Sequence, residues 1–233
     1  MLPVAILAGG LASRLQPLTR HVPKSLVSIA GRPFIFHQLE LLRAQGIQRV
    51  VLCVGHLGEQ IEAAVGDGRR FGLSVDYSFD GSELLGTGGA LAHALPLLGR
   101  EFFVLYGDSY LPCSFAAIAA AYTTAHLPAL MTVLRNEDRW GRSNVAFRDD
   151  RSIEYEMDSG RSDLTHIDFG LSVFCGEALQ PYPACFDLAD TWRDLSARRQ
   201  LAAFEVGGRF YEIGSRQGIA DTEEFLSRKL SVA

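Results

Sequence analysis

Lysine is almost missing from this chain: only Lys24 and Lys229 stand beside twenty arginines in 233 residues. A sequence that otherwise carries its positive charge on guanidinium groups keeps an ammonium at position 24. The two cations are not interchangeable at a phosphate. Cysteine is scarce as well. The four present (Cys53, Cys113, Cys175 and Cys185) form no CxxC pair and no Cys/His metal spacing, which fits buried thiols in a reducing compartment. Net positive charge is absent too. At −5, the balance argues against nucleic acid or an anionic membrane as the main partner. Any phosphate binding must then come from local cations, backbone amides and metal. No segment reaches membrane-spanning length without a charge, and Met1–Leu7 lacks a charged leader, so the expectation is a soluble, cytoplasmic protein. Internal repeats and Pro/Ser linkers are also missing. So are GxxxxGK[ST] and GxGxxG, which excludes a P-loop and disfavours an NAD(P) oxidoreductase.

What is there is an ordinary globular composition, 48% hydrophobic and 21% charged, long enough to bury a substantial core. Apolar runs alternate with helical periodicity. Strands are predicted at Val4–Leu7, Arg49–Val54, Leu73–Tyr77 and Phe102–Tyr106. Helices are predicted at Pro33–Gln45, His56–Val65, Thr87–Leu98 and Phe115–Thr123. That order implies a three-layer α/β/α sandwich, Rossmann-like, around a mixed and mainly parallel sheet. After about residue 128 the texture changes. Ala129–Leu134, Asn144–Phe147, Ser152–Tyr155 and Ile167–Phe174 read as strands. Helices at Asp187–Arg199 and Arg216–Leu230 flank one more strand, Phe210–Ile213. We read one domain, 1–233, with a nucleotide-binding half (1–127) and an acceptor half (128–233).

The first strand runs into Ala8-Gly9-Gly10, then Arg14, Pro17-Leu-Thr19 and Pro23-Lys24. Gly9 and Gly10 let backbone amides approach phosphate oxygens. Arg14 can fork onto the β- and γ-phosphates, and Lys24 can place a compact charge on the α-phosphate. Tyr106-Gly107-Asp108 ends an apolar strand, and a carboxylate at a strand's carboxyl end sits at the crevice where α/β proteins bind ligands. A simple strand-end turn is the other reading of Asp108. Gly86-Thr87-Gly88-Gly89 opens a helix, with Thr87 as a candidate N-cap. His37, His56 and His93 read as structural.

Taken together, AGGxxxRLxPLT…PK and Gly31-Arg-Pro-Phe34 resemble the signature of the sugar-1-phosphate nucleotidylyltransferases. Leu85–Leu91, Tyr106–Ser109, Ile167–Leu171 and Tyr211–Ser215 are similar to that family's later motifs. The resemblance implies transfer of a nucleotidyl group from a nucleoside triphosphate to a sugar 1-phosphate, with pyrophosphate leaving. It implies Arg14, Lys24 and Asp108 as catalytic groups. The nucleotide would lie on Leu7, Ala8, Gly9, Gly10, Arg14, Glu83, Gly88 and Asp108. Mg²⁺ would be held by Asp108 and Glu212, and the sugar phosphate by Arg142, Asn144, Asp168 and Gly170. A homo-oligomer is compatible with it.

The chain departs from the family pattern in three places. Ala12-Ser13 stands where relatives often have Gly-Thr, and Glu212 where they usually have Asp. Glu154-Tyr-Glu-Met-Asp158 replaces a Glu-Lys-Pro motif, which leaves the acceptor phosphate without its usual lysine. Asp108-Ser-Tyr is not the Asp-x-Asp that a glycosyltransferase of this architecture would want. The first expectation is guanylyl transfer to a heptose or hexose 1-phosphate, with uridylyl or thymidylyl transfer as the alternative. A non-catalytic regulatory protein that binds nucleotide sugars is the reading from another class.

Overall fold

The computed structural model describes residues 1–11, 15–16, 19–148, 152–156 and 161–232. Arg14, with Ala12 and Ser13, lies outside the described residues, as do Met157 and Asp158. In chain order the elements are β1 (Val4–Leu7), β2 (Ser28–Ile29), β3 (Arg32–Pro33), α1 (Phe34–Ala44), β4 (Arg49–Val54), α2 (Gly58–Val65), β5 (Ser74–Phe79), α3 (Gly86–Leu98), β6 (Glu101–Tyr106) and β7 (Ser109–Tyr110). The second half supplies α4 (Phe115–Ala125), β8 (Ala129–Arg135), β9 (Val145–Phe147), β10 (Ile153–Tyr155), β11 (His166–Cys175), α5 (Leu188–Ala197), β12 (Leu201–Glu205), β13 (Tyr211–Glu212) and α6 (Arg216–Val232).

Among the described residues, nine strands form the main sheet. β6, β1, β4 and β5 run parallel side by side, and β11 joins β6 antiparallel. β8 lies on the other side of β11, with β12 parallel to it at the edge. Strand residues alternate between two cores. Val4, Ile6, Val50 and Leu52 face α1, α2 and α4, while Ala5, Val51, Cys53 and Val104 face α3 and α5. This is the expected sandwich, because strands buried on both faces need a helical layer on each. The second core is anchored by Trp192, whose ring sits 4.5 Å from that of Phe174; truncation to Ala would cost about 3–5 kcal/mol.

Three features position the site. First, β11 changes partner along its length: Leu171–Cys175 pair with β6, whereas His166 pairs with β9. On the β8 side the register slips between Asp168 and Ser172, with Gly170 at φ +94 inside the bulge. A residue with a Cβ would be strained there. The strand therefore splays open at Asp168–Gly170. Second, β7 and β13 form a separate two-stranded sheet that ties the turn after β6 to the start of α6. Third, the N-terminus of α3 is docked onto the segment before α5.

The sequence-based boundaries need three corrections. The helix expected from His56 starts at Gly58, because Leu57 adopts a left-handed conformation (φ +59) and breaks the turn. Thr87 does not cap α3, which begins one residue earlier. Its Oγ1 instead accepts from the backbone N–H of Leu188 at 2.8 Å and so caps α5. β12 was not expected at all: its Leu-Ala-Ala-Phe-Glu run has too little alternation to declare a strand without its partner β8.

Candidate active site

Beyond β1, the Ala8 amide donates to Cys53 O (2.8 Å) and the Gly107 amide to Leu7 O (2.9 Å), closing the floor beneath the glycine turn. A methyl group on Gly9 would lie 2.9 Å from the Gly55 amide nitrogen, so the two backbones can approach only without side chains. Lys24 opens a single 3-10 turn, Lys24–Leu26, entered from the extended Pro23. Its Nζ lies 2.5 Å from Asp108 Oδ2. The turn that carries Asp108 is pinned from below by Gln38 of α1, whose Nε2 donates to Tyr106 O (3.0 Å) and Ser109 O (2.8 Å).

Glu212 arrives from the other end of the chain. It pairs with Ser109 across the small sheet, and the Ile213 amide donates to Asp108 O at 2.9 Å. Gly214 shows how closely the charged groups converge. A methyl group there would lie 2.6 Å from Glu212 Oε2, 2.9 Å from Lys24 Nζ and 3.4 Å from Asp108 Oδ2. Two carboxylates and one ammonium therefore surround a single point. Glu212 is fixed by its own loop: Oε2 accepts from the Gly214 amide and Oε1 from Ser215 Oγ (2.5 Å). Ser215 Oγ in turn accepts from the Gly218 amide (2.9 Å) in the first turn of α6. The N-terminus of α6 stands behind it and sets its positive partial charge beside the carboxylate.

Magnesium takes one or two carboxylates and completes its shell with water and phosphate oxygens. Asp108 and Glu212 fit that demand, since each carboxylate oxygen keeps a lone pair beyond the bonds just described. The described residues contain no group of three or more His, Cys, Asp or Glu side chains that would make an all-protein cage.

From this point a cavity of about 450 Å³ runs along Leu7–Leu11, past Cys53 and Asp80, to Leu84, Thr87 and Asp187. Burial pushes the Cys53 thiol up to about 12, so it is an inert floor and not a nucleophile. Asp80 follows β5, with Oδ2 3.4 Å from the Leu85 amide, and burial raises its carboxyl above the ordinary range. Leu11 and Leu84 stand at the mouth, 54% and 41% exposed. Glu83 is exposed and is not among the cavity-lining residues; Leu84 is. Gly88 is turned away from the cavity and packs against the Phe186 ring, where any Cβ would collide. Gly86, at φ +74, presses on Phe186 O in the same way. The glycine run thus serves to seat the segment Ala184–Asp187 on α3. Asp80 and Asp187 were missed from sequence, although Asp80's place just past the carboxyl end of a parallel strand was a usable signal.

In the second half of the chain, Asp168 sits in the splay of β11, with Oδ1 accepting from the Gly170 amide at 2.9 Å. Burial pushes its carboxyl up to about 6. The phenols of Tyr106 and Tyr155 are both raised, first by burial and then by the Asp168 charge. Asn144 Oδ1 accepts from the Asp168 amide (2.9 Å), so its side chain anchors the loop 136–144 to β11. Arg142 is exposed on that loop. Glu154 points into a surface network with Arg148 and Arg161, both at 2.8 Å.

Residues 4–141 match the nucleotidyl transferase family. The chain is 35% identical over 169 residues to the N-acetylmuramate alpha-1-phosphate uridylyltransferase of Neisseria meningitidis serogroup B, covering 71% of this chain and 73% of that one. It is 28% identical over 222 residues to the mannose-1-phosphate guanyltransferase of Yarrowia lipolytica, covering 90% of this chain and 60% of the relative's length. Among solved structures, HddC from Yersinia pseudotuberculosis complexed with GMP-PN superposes with a TM-score of 0.81 at 25% identity, over 97% of this chain and 100% of that one.

Proposed function

Because the chain belongs to the nucleotidyl transferase family of sugar-1-phosphate enzymes, we propose that it transfers a guanylyl group from GTP to a heptose or hexose 1-phosphate. An oxygen of the acceptor phosphate attacks the α-phosphorus in line. The new P–O bond forms as the bond to the β-phosphate oxygen breaks, and pyrophosphate leaves with that electron pair. The acceptor is already an anion at neutral pH, so no protein nucleophile or base is required. Catalysis is then positioning and charge neutralisation. Lys24 offers its ammonium to the α-phosphate, and the amides of Gly9 and Gly10 offer donors to the polyphosphate. Asp108 and Glu212 would hold Mg²⁺, which would add to the neutralisation of the phosphates. Asp168 accepts hydrogen bonds from sugar hydroxyls.

Asp80 is the observation that carries the choice of base. Its half-buried carboxylate lines the cavity, and its hydrogen bond to the Leu85 amide is long. Guanine presents two adjacent donors, N1–H and N2–H, that match two carboxylate oxygens. Uracil and thymine present one N–H flanked by two carbonyls, which the second carboxylate oxygen would repel. The guanine nucleotide analogue in the HddC structure supports the same choice. Uridylyl transfer is the second reading, favoured by the uridylyltransferase relative at 35% identity.

Pyrophosphate release measured across four nucleoside triphosphates and a panel of sugar 1-phosphates tests both. GTP-dependent release is expected, with Asp80→Asn lowering kcat/KM for GTP about 10- to 100-fold and for UTP much less. Binding without turnover across the whole panel would instead identify a regulatory protein.

A further inference from the structure

Arg209 lies three residues before Glu212 and touches three separate parts of the molecule. Its guanidinium carbon sits 5.7 Å from the Trp140 ring centroid, on the acceptor-side loop, and 4.8 Å from that of Tyr211. Its Nη2 donates to Asp221 Oδ2 of α6 at 2.8 Å, and its Nε to Phe210 O at 3.3 Å. The pairing is firm enough to hold the Asp221 carboxyl below its ordinary range.

The residues that follow extend the same bridge. Phe210 meets Phe169 edge-on at 6.0 Å, and Phe169 lies between Asp168 and Gly170 on the splayed strand. Tyr211 stacks on Phe225 of α6 at 4.0 Å and pairs with Tyr110 beside the Asp108 turn. One short segment therefore connects the loop 136–144, the acceptor strand and the carboxylate of Glu212. A planar cation is suited to this place, because it can stack on two rings while its edge holds a carboxylate; an ammonium cannot do both.

We propose that Arg209 is a positioning residue that couples the acceptor side of the cleft to the placement of Glu212. Sugar phosphate that settles the Trp140 loop settles Glu212 as well. Conversely, a mobile Glu212 weakens acceptor binding without affecting the nucleotide cradle, which is built on β1 and α3. The inference rests on the nucleotidyl-transfer reading above.

The test uses Arg209→Lys, Arg209→Gln and Trp140→Leu in the full chain, with kinetics on whichever nucleotide and sugar phosphate the wild type turns over. In Arg209→Lys, the acceptor KM and the half-saturating Mg²⁺ concentration are expected to rise about fivefold or more, with the nucleotide KM within twofold. Combining it with Trp140→Leu should cost no more than the worse single change, because both break one shared contact. Acceptor KM and Mg²⁺ requirement within twofold of wild type in both Arg209 variants would overturn the proposal. So would an equal rise in all three constants with a lower Tm, since that marks general loosening. If wild type turns over no substrate pair, the functional reading fails separately, and titration with Mn²⁺ alone still decides the coupling. Weaker Mn²⁺ binding in Arg209→Lys supports it, and unchanged binding overturns it.

Discussion

Lys24 and Asp108 are 84 positions apart in the sequence, and their side chains meet at 2.5 Å. The ammonium belongs to the glycine-rich half of the cleft, and the carboxylate to the turn that receives Glu212. With one change at either end, the other charge remains half-buried without its counter-ion. Lys24→Ala and Asp108→Ala are expected to slow pyrophosphate release by about two to three orders of magnitude. Thermal melting should stay within a few degrees, because the pair lies on the cleft wall and not in a core. Lys24→Arg should not rescue activity. The space around Nζ is bounded by Gly214, where a single added methyl would already stand 2.9 Å away. Near-normal turnover in a folded Asp108→Ala variant would refute the role given to this carboxylate.

Gly218 offers a test of Glu212 that leaves the carboxylate in place. Gly→Ala within a helix ordinarily stabilises by about 0.5–1 kcal/mol. Here a Cβ would run into Glu212 Oε1 and Cδ, so the carboxylate must move. Gly218→Ala should raise the Mg²⁺ concentration for half-maximal activity about tenfold. Adding Glu212→Asp, which shortens the acid by one methylene, should recover part of that loss. Magnesium titrations of the single and double variants decide it. A double variant worse than Gly218→Ala alone would show that reach, and not crowding, governs the site.

Much of this was legible in the sequence, and the limits have physical causes. β1, β4 and β6 are uninterrupted apolar runs buried on both faces, so their identity follows from composition alone. Asp108 could be placed because it ends such a run. Glu212 could be paired with it only through family resemblance, since β7 and β13 are two residues each and carry no periodic signal. Gly88 shows a related limit. A glycine looks the same in sequence whether it admits a ligand or a neighbouring side chain, and here the neighbour is Phe186, nearly a hundred residues later. Arg209 was invisible because its partners, Trp140 and Asp221, lie on either side of it at distances that no local pattern links.

That packing of Gly88 on Phe186 can be tested by exchange. Gly88→Ala forces a methyl into a filled position and should cost about 1–3 kcal/mol of stability. Phe186→Leu in the same background should return a measurable share of the Tm, because the contact is made with the ring itself. The nucleotide KM should follow stability in both variants, since α3 lines the cavity. If Gly88→Ala were as stable as wild type yet failed to bind nucleotide, Gly88 would be a direct ligand contact after all.

Asp168 yields the pH prediction, with opposite signs for stability and for binding. Its folded-state pKa is raised to about 6, above the value near 3.8 expected when exposed. Below pH 4 the acid is protonated in both states and the fold bears no penalty from it. Between pH 4 and pH 6 the unfolded chain loses the proton while the folded one keeps it, so stability falls; above pH 6 the whole penalty is present. Asp168→Asn removes an ionisable group that is unfavourable when buried. It should therefore raise Tm at pH 8 by a few degrees, with the gain vanishing near pH 4. Binding runs the other way. The carboxylate must be ionised to accept from two sugar hydroxyls, so the wild-type acceptor KM should climb as pH drops through 6, while the nucleotide KM changes much less. In Asp168→Asn the acceptor KM should be high, keeping only the shallower dependence that the acceptor phosphate's own second ionisation, about pH 6, imposes. Melting curves at pH 4 and pH 8, with acceptor KM measured from pH 5 to pH 8, separate the two effects. An acceptor KM that depended on pH as steeply in the variant as in the wild type would assign the titration to another group.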